Sequence, residues 1–142
     1  MISKKEALTL LLSLAKRMPV ESIAINNCFE RVLANSLEAK CTHPPTDVSA
    51  MDGYAMNKLD KKAGRVLKII GESAAGKSFP NALKRGETLR IFTGASLPAG
   101  SDCVVIQEDV TRENEKVTLN KNIDQNDFVR SKGFDFVQGF KV

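Results

Sequence analysis

The hydrophobic pattern of the chain changes near residue 43, and this change limits the possible folds more than any other feature. Before it, apolar residues recur at the spacing of one helix face: Leu8, Leu11, Leu12 and Ala15. After it, short apolar runs alternate with glycine, proline and asparagine. The pattern predicts an α+β chain that is mostly β, with an N-terminal helix and linker region over 1–42 and a compact, irregular β-rich domain over 43–142.

Local signals predict the individual elements. A helix is expected over 3–17, because Ser3 and Glu6 form a capping box and Pro19 prevents continuation. A second short helix is predicted over 26–33. Its apolar face would consist of Cys28, Phe29, Val32 and Leu33. Strands are predicted at five apolar runs: 66–70, 88–92, 103–107, 117–119 and 128–130.

Composition restricts the functional class. The 142 residues are 42% hydrophobic, which is enough for a packed core. The net charge of +4 is spread over the sequence, so we expect a solvated surface and no nucleic-acid partner. Three separated cysteines favour a reducing compartment and do not have zinc-site spacing. The apolar run 8–14 is too short to cross a bilayer and the N-terminus lacks a signal-peptide core, which predicts a soluble cytoplasmic protein without a membrane partner.

Asp52-Gly53 has two interpretations. An Asp-Gly pair is a strong hairpin signal, because glycine tolerates a positive φ and aspartate caps the turn. Local sequence favours that turn. In the functional interpretation, the turn presents the Asp52 carboxylate at a cleft, where it would bind a divalent cation or steer a proton.

Residues 93–96, Thr-Gly-Ala-Ser, are a second candidate site. Small residues and two hydroxyls allow backbone N–H groups to approach an oxyanion closely. An ordinary turn closed by Pro98 and Gly100 explains the segment equally well. Gln107 and Glu108 follow a predicted buried strand, and either a cleft or a solvated strand end accounts for them.

Residues 71–78 fit the phosphate-binding pattern G-x-x-x-x-G-K-[ST]. That mechanism needs a helix beginning at Lys77, but Pro80 and Gly86 leave only a short segment. The next predicted strand also follows without room for a crossover connection. A strand leading into a glycine-rich turn is therefore the preferred interpretation, with nucleotide binding as the alternative.

Two longer blocks resemble a known family. Residues 44–56, PPTDVSAMDGYAM, are similar to the signature of the molybdopterin molybdenumtransferases, the family that includes the E domain of gephyrin. Residues 89–100, LRIFTGASLPAG, and 102–108, DCVVIQE, agree with it in order and separation. Residues 130–135, RSKGFD, resemble the family's basic stretch ending in Gly-x-Asp. Phe134 departs from it, since members often carry glutamate there.

The resemblance implies a set of site residues and a fold like the family's N-terminal and linker regions. It assigns catalytic roles to Asp52, Thr93 and Asp135. Asp52 and Asp135 are also the implied ligands of Mg²⁺, and which of the two holds the cation stays open. Implied substrate-binding residues are Ser49, Ser96 and Arg130.

The implied activity is molybdenum cofactor biosynthesis. Members insert molybdenum from molybdate into adenylated molybdopterin and release AMP, assisted by a divalent cation. They form homodimers, with each site between a domain resembling this chain and a downstream α/β domain of the other subunit. That domain is absent here, and the apolar end at 134–142 indicates a truncated chain that we expect to be inactive alone. The alternative is a non-catalytic module that binds an anion, a nucleotide or a protein.

Overall fold

The computed structural model describes residues 2–141. They form two compact units, divided between Ser36 and Leu37. The first contains one α-helix and the second contains all the strands. The expected α+β fold that is mostly β is therefore confirmed. No helix among the described residues is long and apolar enough to cross a membrane.

The first unit is built around the helix α1, Lys4–Leu14. The predicted capping box is present: Glu6 N donates to Ser3 Oγ at 3.2 Å, and Ser3 N donates to Glu6 Oε2 at 2.7 Å. These bonds satisfy two N–H groups that the first turn leaves without partners. The helix ends before the predicted residue 17, because Ala15 already has extended dihedral angles.

The predicted helix over 26–33 is wrong. Only a single 3-10 turn, Ile25–Asn27, forms there. Glu30 has a φ of +59°, and a left-handed residue cannot continue a right-handed helix. The four residues of the supposed apolar face are exposed, so no buried contact supports a helix: Cys28, Phe29, Val32 and Leu33.

The second unit contains eight strands: β1 Val48–Ser49, β2 Gly53–Met56, β3 Val66–Ser73, β4 Glu87–Ile91, β5 Cys103–Ile106, β6 Val110–Glu113, β7 Lys116–Leu119 and β8 Val129–Arg130. Six form one sheet in the order β5-β2-β4-β3-β7-β6, and β1 pairs with β8. All five predicted strands are found, with small boundary differences. The sequence did not predict β1, β2 or β6, which are short and lie next to turns.

The connection from β3 to β4 differs from expectation. The two strands are parallel neighbours, although no helix lies between them. Residues 74–86 are long enough to return the chain to the start of β4, so the expectation that a crossover had no room is wrong. Ala74 and Lys77 bridge across a turn in which Gly76 has a φ of +79°. The helix that a phosphate-binding loop requires is not found between 77 and 86, which leaves the strand and turn.

Successive side chains of each strand point to opposite faces of the sheet, so the core is divided into two clusters. On β2, Tyr54 and Met56 belong to one cluster and Ala55 belongs to the other. Leu89 and Ile91 of β4 join Ala55 and are fully buried. The central strands are therefore covered on both faces. This holds their ends, where the candidate site lies, in a fixed position.

Candidate functional site

Asp52 is fixed by two hydrogen bonds from one residue. Thr93 donates to Asp52 Oδ1 from its backbone N at 2.8 Å and from its Oγ1 at 2.9 Å. The backbone N–H of Thr93, its hydroxyl and the nearby Arg90 hold the pKa of the Asp52 carboxyl below its usual value. The half-buried carboxylate is therefore ionised at neutral pH. The structure brings together two of the residues to which the sequence assigned a role.

Gly53 does not form the predicted hairpin turn. It is the first residue of β2, and β1 before it pairs with β8, so β1 and β2 are not joined as a hairpin. A Cβ at Gly53 would lie 2.1 Å from the carbonyl oxygen of Val105 in the neighbouring strand. Glycine is needed for this close approach of two backbones. The hairpin interpretation is therefore wrong, and Asp52 lies at the entry to a central strand.

The loop that carries Thr93 is held against β1. Gly94 N donates to Ser49 O at 2.9 Å, and Ser49 N donates to Ala95 O at 2.9 Å. Gly94 has a φ of +80°, which glycine adopts without steric cost. Because these backbone bonds fix the loop, Thr93 is aimed at Asp52 by the strand pairing itself.

The two predicted serines lie beside this loop. Ser49 is 1% exposed, and its Oγ donates to Met51 O at 2.6 Å, so it fixes the turn before Asp52. Ser96 Oγ lies 3.0 Å from Thr46 Oγ1 at the surface. Ser96 is thus accessible to a ligand, whereas the hydroxyl of Ser49 is occupied inside the fold.

Arg130 and Asp135 form a second group. Arg130 Nη2 donates to Asp135 Oδ1 at 2.6 Å, and its guanidinium carbon lies 5.4 Å from the centroid of the Phe134 ring. His43 Nε2 is 3.7 Å from Asp135 Oδ2. The Phe134 that departs from the family pattern therefore stacks on the predicted anion-binding arginine.

Strand β1 connects the two groups. Val48 and Ser49 pair with Arg130 and Val129 of β8, and Val48 also bridges to Ser96. Asp52 follows three residues after β1, and Asp135 lies five residues after Arg130. None of the hydrogen bonds or ion pairs found within 2–141 joins Asp52 directly to Asp135.

Sequence reasoning missed Arg90 and left Gln107 undecided. Gln107 N donates to Asp52 O at 3.2 Å, and its Oε1 accepts from Arg90 Nη2 at 2.7 Å. Arg90 is the fourth of the five residues of β4, Glu-Thr-Leu-Arg-Ile. A charged side chain in the middle of a central strand was the available signal, since such a residue needs a partner inside the fold.

The chain matches the family model described as "MoeA N-terminal region (domain I and II)" over residues 2–142. The chain belongs to this family. A molybdopterin molybdenumtransferase from Synechococcus elongatus is 34% identical over 97% of the chain and 36% of its own length. One from Haemophilus influenzae is 32% identical over 84% of the chain and 30% of its own length.

A solved structure of this family supports the fold. The crystal structure of the molybdopterin biosynthesis MoeA protein from Pyrococcus horikoshii OT3 matches with a TM-score of 0.83 at 28% identity. The match covers 97% of this chain and 38% of that protein. The chain thus spans about a third of the length of the curated relatives that it matches and corresponds to the N-terminal region of the MoeA family.

The two predicted magnesium ligands differ in what they offer. Asp52 Oδ1 accepts both Thr93 bonds, and none of the hydrogen bonds described in the chain uses its Oδ2. Both oxygens of Asp135 face cationic or ionisable partners, Arg130 and His43. No group of three or more His, Cys, Asp and Glu residues that could hold a metal occurs within 2–141. A cation bound mainly by phosphates and water, with one carboxylate, fits Asp52.

Proposed function

We propose that the protein acts in molybdenum cofactor biosynthesis, inserting molybdenum from molybdate into adenylated molybdopterin with release of AMP. Membership of the MoeA N-terminal family supports this proposal. The names of its relatives, molybdopterin molybdenumtransferases, support it as well. This chain supplies one part of the site, and a downstream α/β domain from the partner subunit of a homodimer supplies the other.

The Asp52–Thr93 pair is the observation that carries the proposal. Two hydrogen bonds to one oxygen fix the carboxylate and keep it ionised. None of the hydrogen bonds described in the chain uses the second oxygen, Oδ2. A residue with only a structural role at a strand entry does not require this arrangement. This geometry supports the proposal that Asp52 holds a cation or accepts a proton from water.

A Mg²⁺ ion, when bound, would reduce the repulsion between the Asp52 carboxylate and the phosphates of the substrate. Thr93 keeps the carboxylate from rotating, so its free oxygen stays available. The side chain of Arg130 is 42% exposed although it is paired with Asp135. It binds the anionic substrate, and Asp135 orients the guanidinium.

The test compares variants in the complete product of the gene that encodes this chain. Asp52→Asn removes the charge and keeps the shape. We expect AMP release from adenylated molybdopterin, with molybdate and Mg²⁺ present, to fall about a hundredfold or more. Glu113→Gln is the matched control, because Glu113 is exposed and lies on the edge strand β6.

Folding of each variant is checked by circular dichroism and by the midpoint of its urea unfolding. An Asp52→Asn enzyme that folds and keeps AMP release within about threefold of the parent contradicts the assigned role. Loss of AMP release in Glu113→Gln as well would mean that the assay reports general damage.

A further inference from the structure

Arg90 lies at the centre of a set of contacts around Asp52. Its Nη1 donates to Gly53 O at 3.2 Å, and Gly53 is the residue directly after Asp52. Its Nη2 donates to Gln107 Oε1, and the backbone N of the same Gln107 donates to Asp52 O. The guanidinium therefore bridges the carbonyl of Gly53, which follows Asp52, and the side chain of Gln107, whose backbone N–H binds the Asp52 carbonyl.

Two aromatic rings fix the guanidinium itself. Its Cζ lies 4.7 Å from the centroid of the Phe92 ring and 5.3 Å from that of Tyr54. Arg90 also faces Tyr54 directly across the β2–β4 pairing. A planar cation that contacts two rings and donates to two acceptors has one preferred orientation. The arrangement is more specific than a solvated surface arginine requires.

We propose that Arg90 is a positioning residue, which holds the Asp52 peptide so that its carboxylate meets Thr93. The importance of Arg90 for catalysis rests on the proposed function, in which Asp52 is the reactive carboxylate. The geometric content of the inference concerns only the Asp52–Thr93 hydrogen bonds. These are measurable in this chain without any substrate.

The experiment is NMR of the chain in the parent and in Arg90→Met, which keeps the length and removes both donors. The Thr93 amide reports the bond to Asp52, and the Leu119 amide, bonded to Arg65 O at 2.9 Å, reports the sheet. We expect Thr93 amide exchange to accelerate about tenfold in Arg90→Met, with Leu119 unchanged within about twofold. The pH titration of the Thr93 amide shift should also lose amplitude.

Two further variants sharpen the test. Arg90 and Arg112 both line a surface cavity of about 350 Å³. Arg112→Met removes this second arginine and should leave the Thr93 amide unaffected. Arg90→Lys keeps the charge but cannot reach both acceptors, so it should behave like Arg90→Met. Recovery of the Thr93 amide in Arg90→Lys would show that charge suffices and would overturn the positioning role.

Other outcomes also decide against the proposal. Unchanged Thr93 exchange in Arg90→Met would show that Asp52 is held without Arg90. Equal acceleration at Thr93 and Leu119 would show that Arg90 merely stabilises the sheet. If instead the NMR prediction holds while Asp52→Asn retains AMP release, the proposed function fails and the positioning geometry stands.

Discussion

Neutralising Asp60 should destabilise the β-rich unit. Asp60 is 1% exposed and accepts hydrogen bonds from Arg85 Nε and Nη2, both at 2.9 Å, from Arg65 Nη2 at 3.2 Å and from Gly86 N at 2.9 Å. The side-chain bonds from Arg85 are the main cause that lowers its pKa from 3.8 to about 2, against the opposing effect of burial. Asp60→Asn keeps the shape and removes the charge that these donors require.

The pKa difference sets the magnitude. A shift from 3.8 to about 2 corresponds to about 2 kcal/mol of stability at pH 7. Because the folded-state pKa is the lower one, this stability is present above pH 3.8 and is lost as the pH falls through about 2. The asparagine amide also turns a donor toward the donors of Arg85 and Gly86, so about 2 kcal/mol is a lower bound.

Urea unfolding followed by fluorescence measures this effect. The chain has no tryptophan and Tyr54 is its only tyrosine, so the signal comes from the core of the β-rich unit. The difference in unfolding free energy between the parent and Asp60→Asn should narrow as the pH falls from about 4 to about 2. Glu113→Gln, at an exposed edge position, should change stability by less than about 0.5 kcal/mol.

Two results would refute this reasoning. One is a variant within about 0.5 kcal/mol of the parent at pH 7, which would show that Arg85 and Arg65 return to water without loss. The other is a large difference that is independent of pH. That result would assign the stability to the shape of the pocket and not to the ionised carboxylate.

Further predictions concern the site and the core. Gly53→Ala should cost about 3 kcal/mol or more in urea unfolding, because its Cβ would meet the Val105 carbonyl at 2.1 Å; a cost under about 1 kcal/mol would mean that the strands separate easily. Thr93→Val keeps the backbone N–H and removes the hydroxyl, so the Asp52 pKa should rise only part of the way to its usual value, as carboxylate carbon NMR would show. A full rise would mean that the backbone bond needs the hydroxyl. Leu89→Ala should cost about 3 kcal/mol in urea unfolding, since Leu89 is fully buried, and a loss below about 1 kcal/mol would mean that the core collapses around it.

Features encoded by neighbouring residues were predictable. Ser3 and Glu6 predicted their own reciprocal bonds, because a capping box is contained in four residues. Five strands were also predicted from the apolar runs in their own sequence: β3, β4, β5, β7 and β8. The prediction of a helix over 26–33 was wrong because the apolar side chains at helical spacing are exposed, so no burial stabilises a helix there.

Contacts between distant residues were not predictable from pattern. Asp52 and Thr93 lie 41 positions apart, and only the family resemblance linked them. Local propensity favoured a hairpin at Asp52-Gly53, because the pairing of β1 with the distant β8 has no signal in the local sequence. The approach of Gly53 to Val105 decides the role of that glycine, and it exists only in the assembled sheet.

The pairing of β1 with β8 has a consequence for the order of folding. Lys132 N donates to Asp47 Oδ1 across 85 positions, whereas α1 and the β6–β7 pair close over short separations. Closing so long a loop costs more entropy, so we expect the intervening sheet to form first and shorten it. The folding chain would then hold the six-stranded sheet before it holds Arg130 beside Val48 of β1. Pulse-labelled hydrogen exchange during refolding should show Leu119 protected before Lys132, and simultaneous protection would exclude this order.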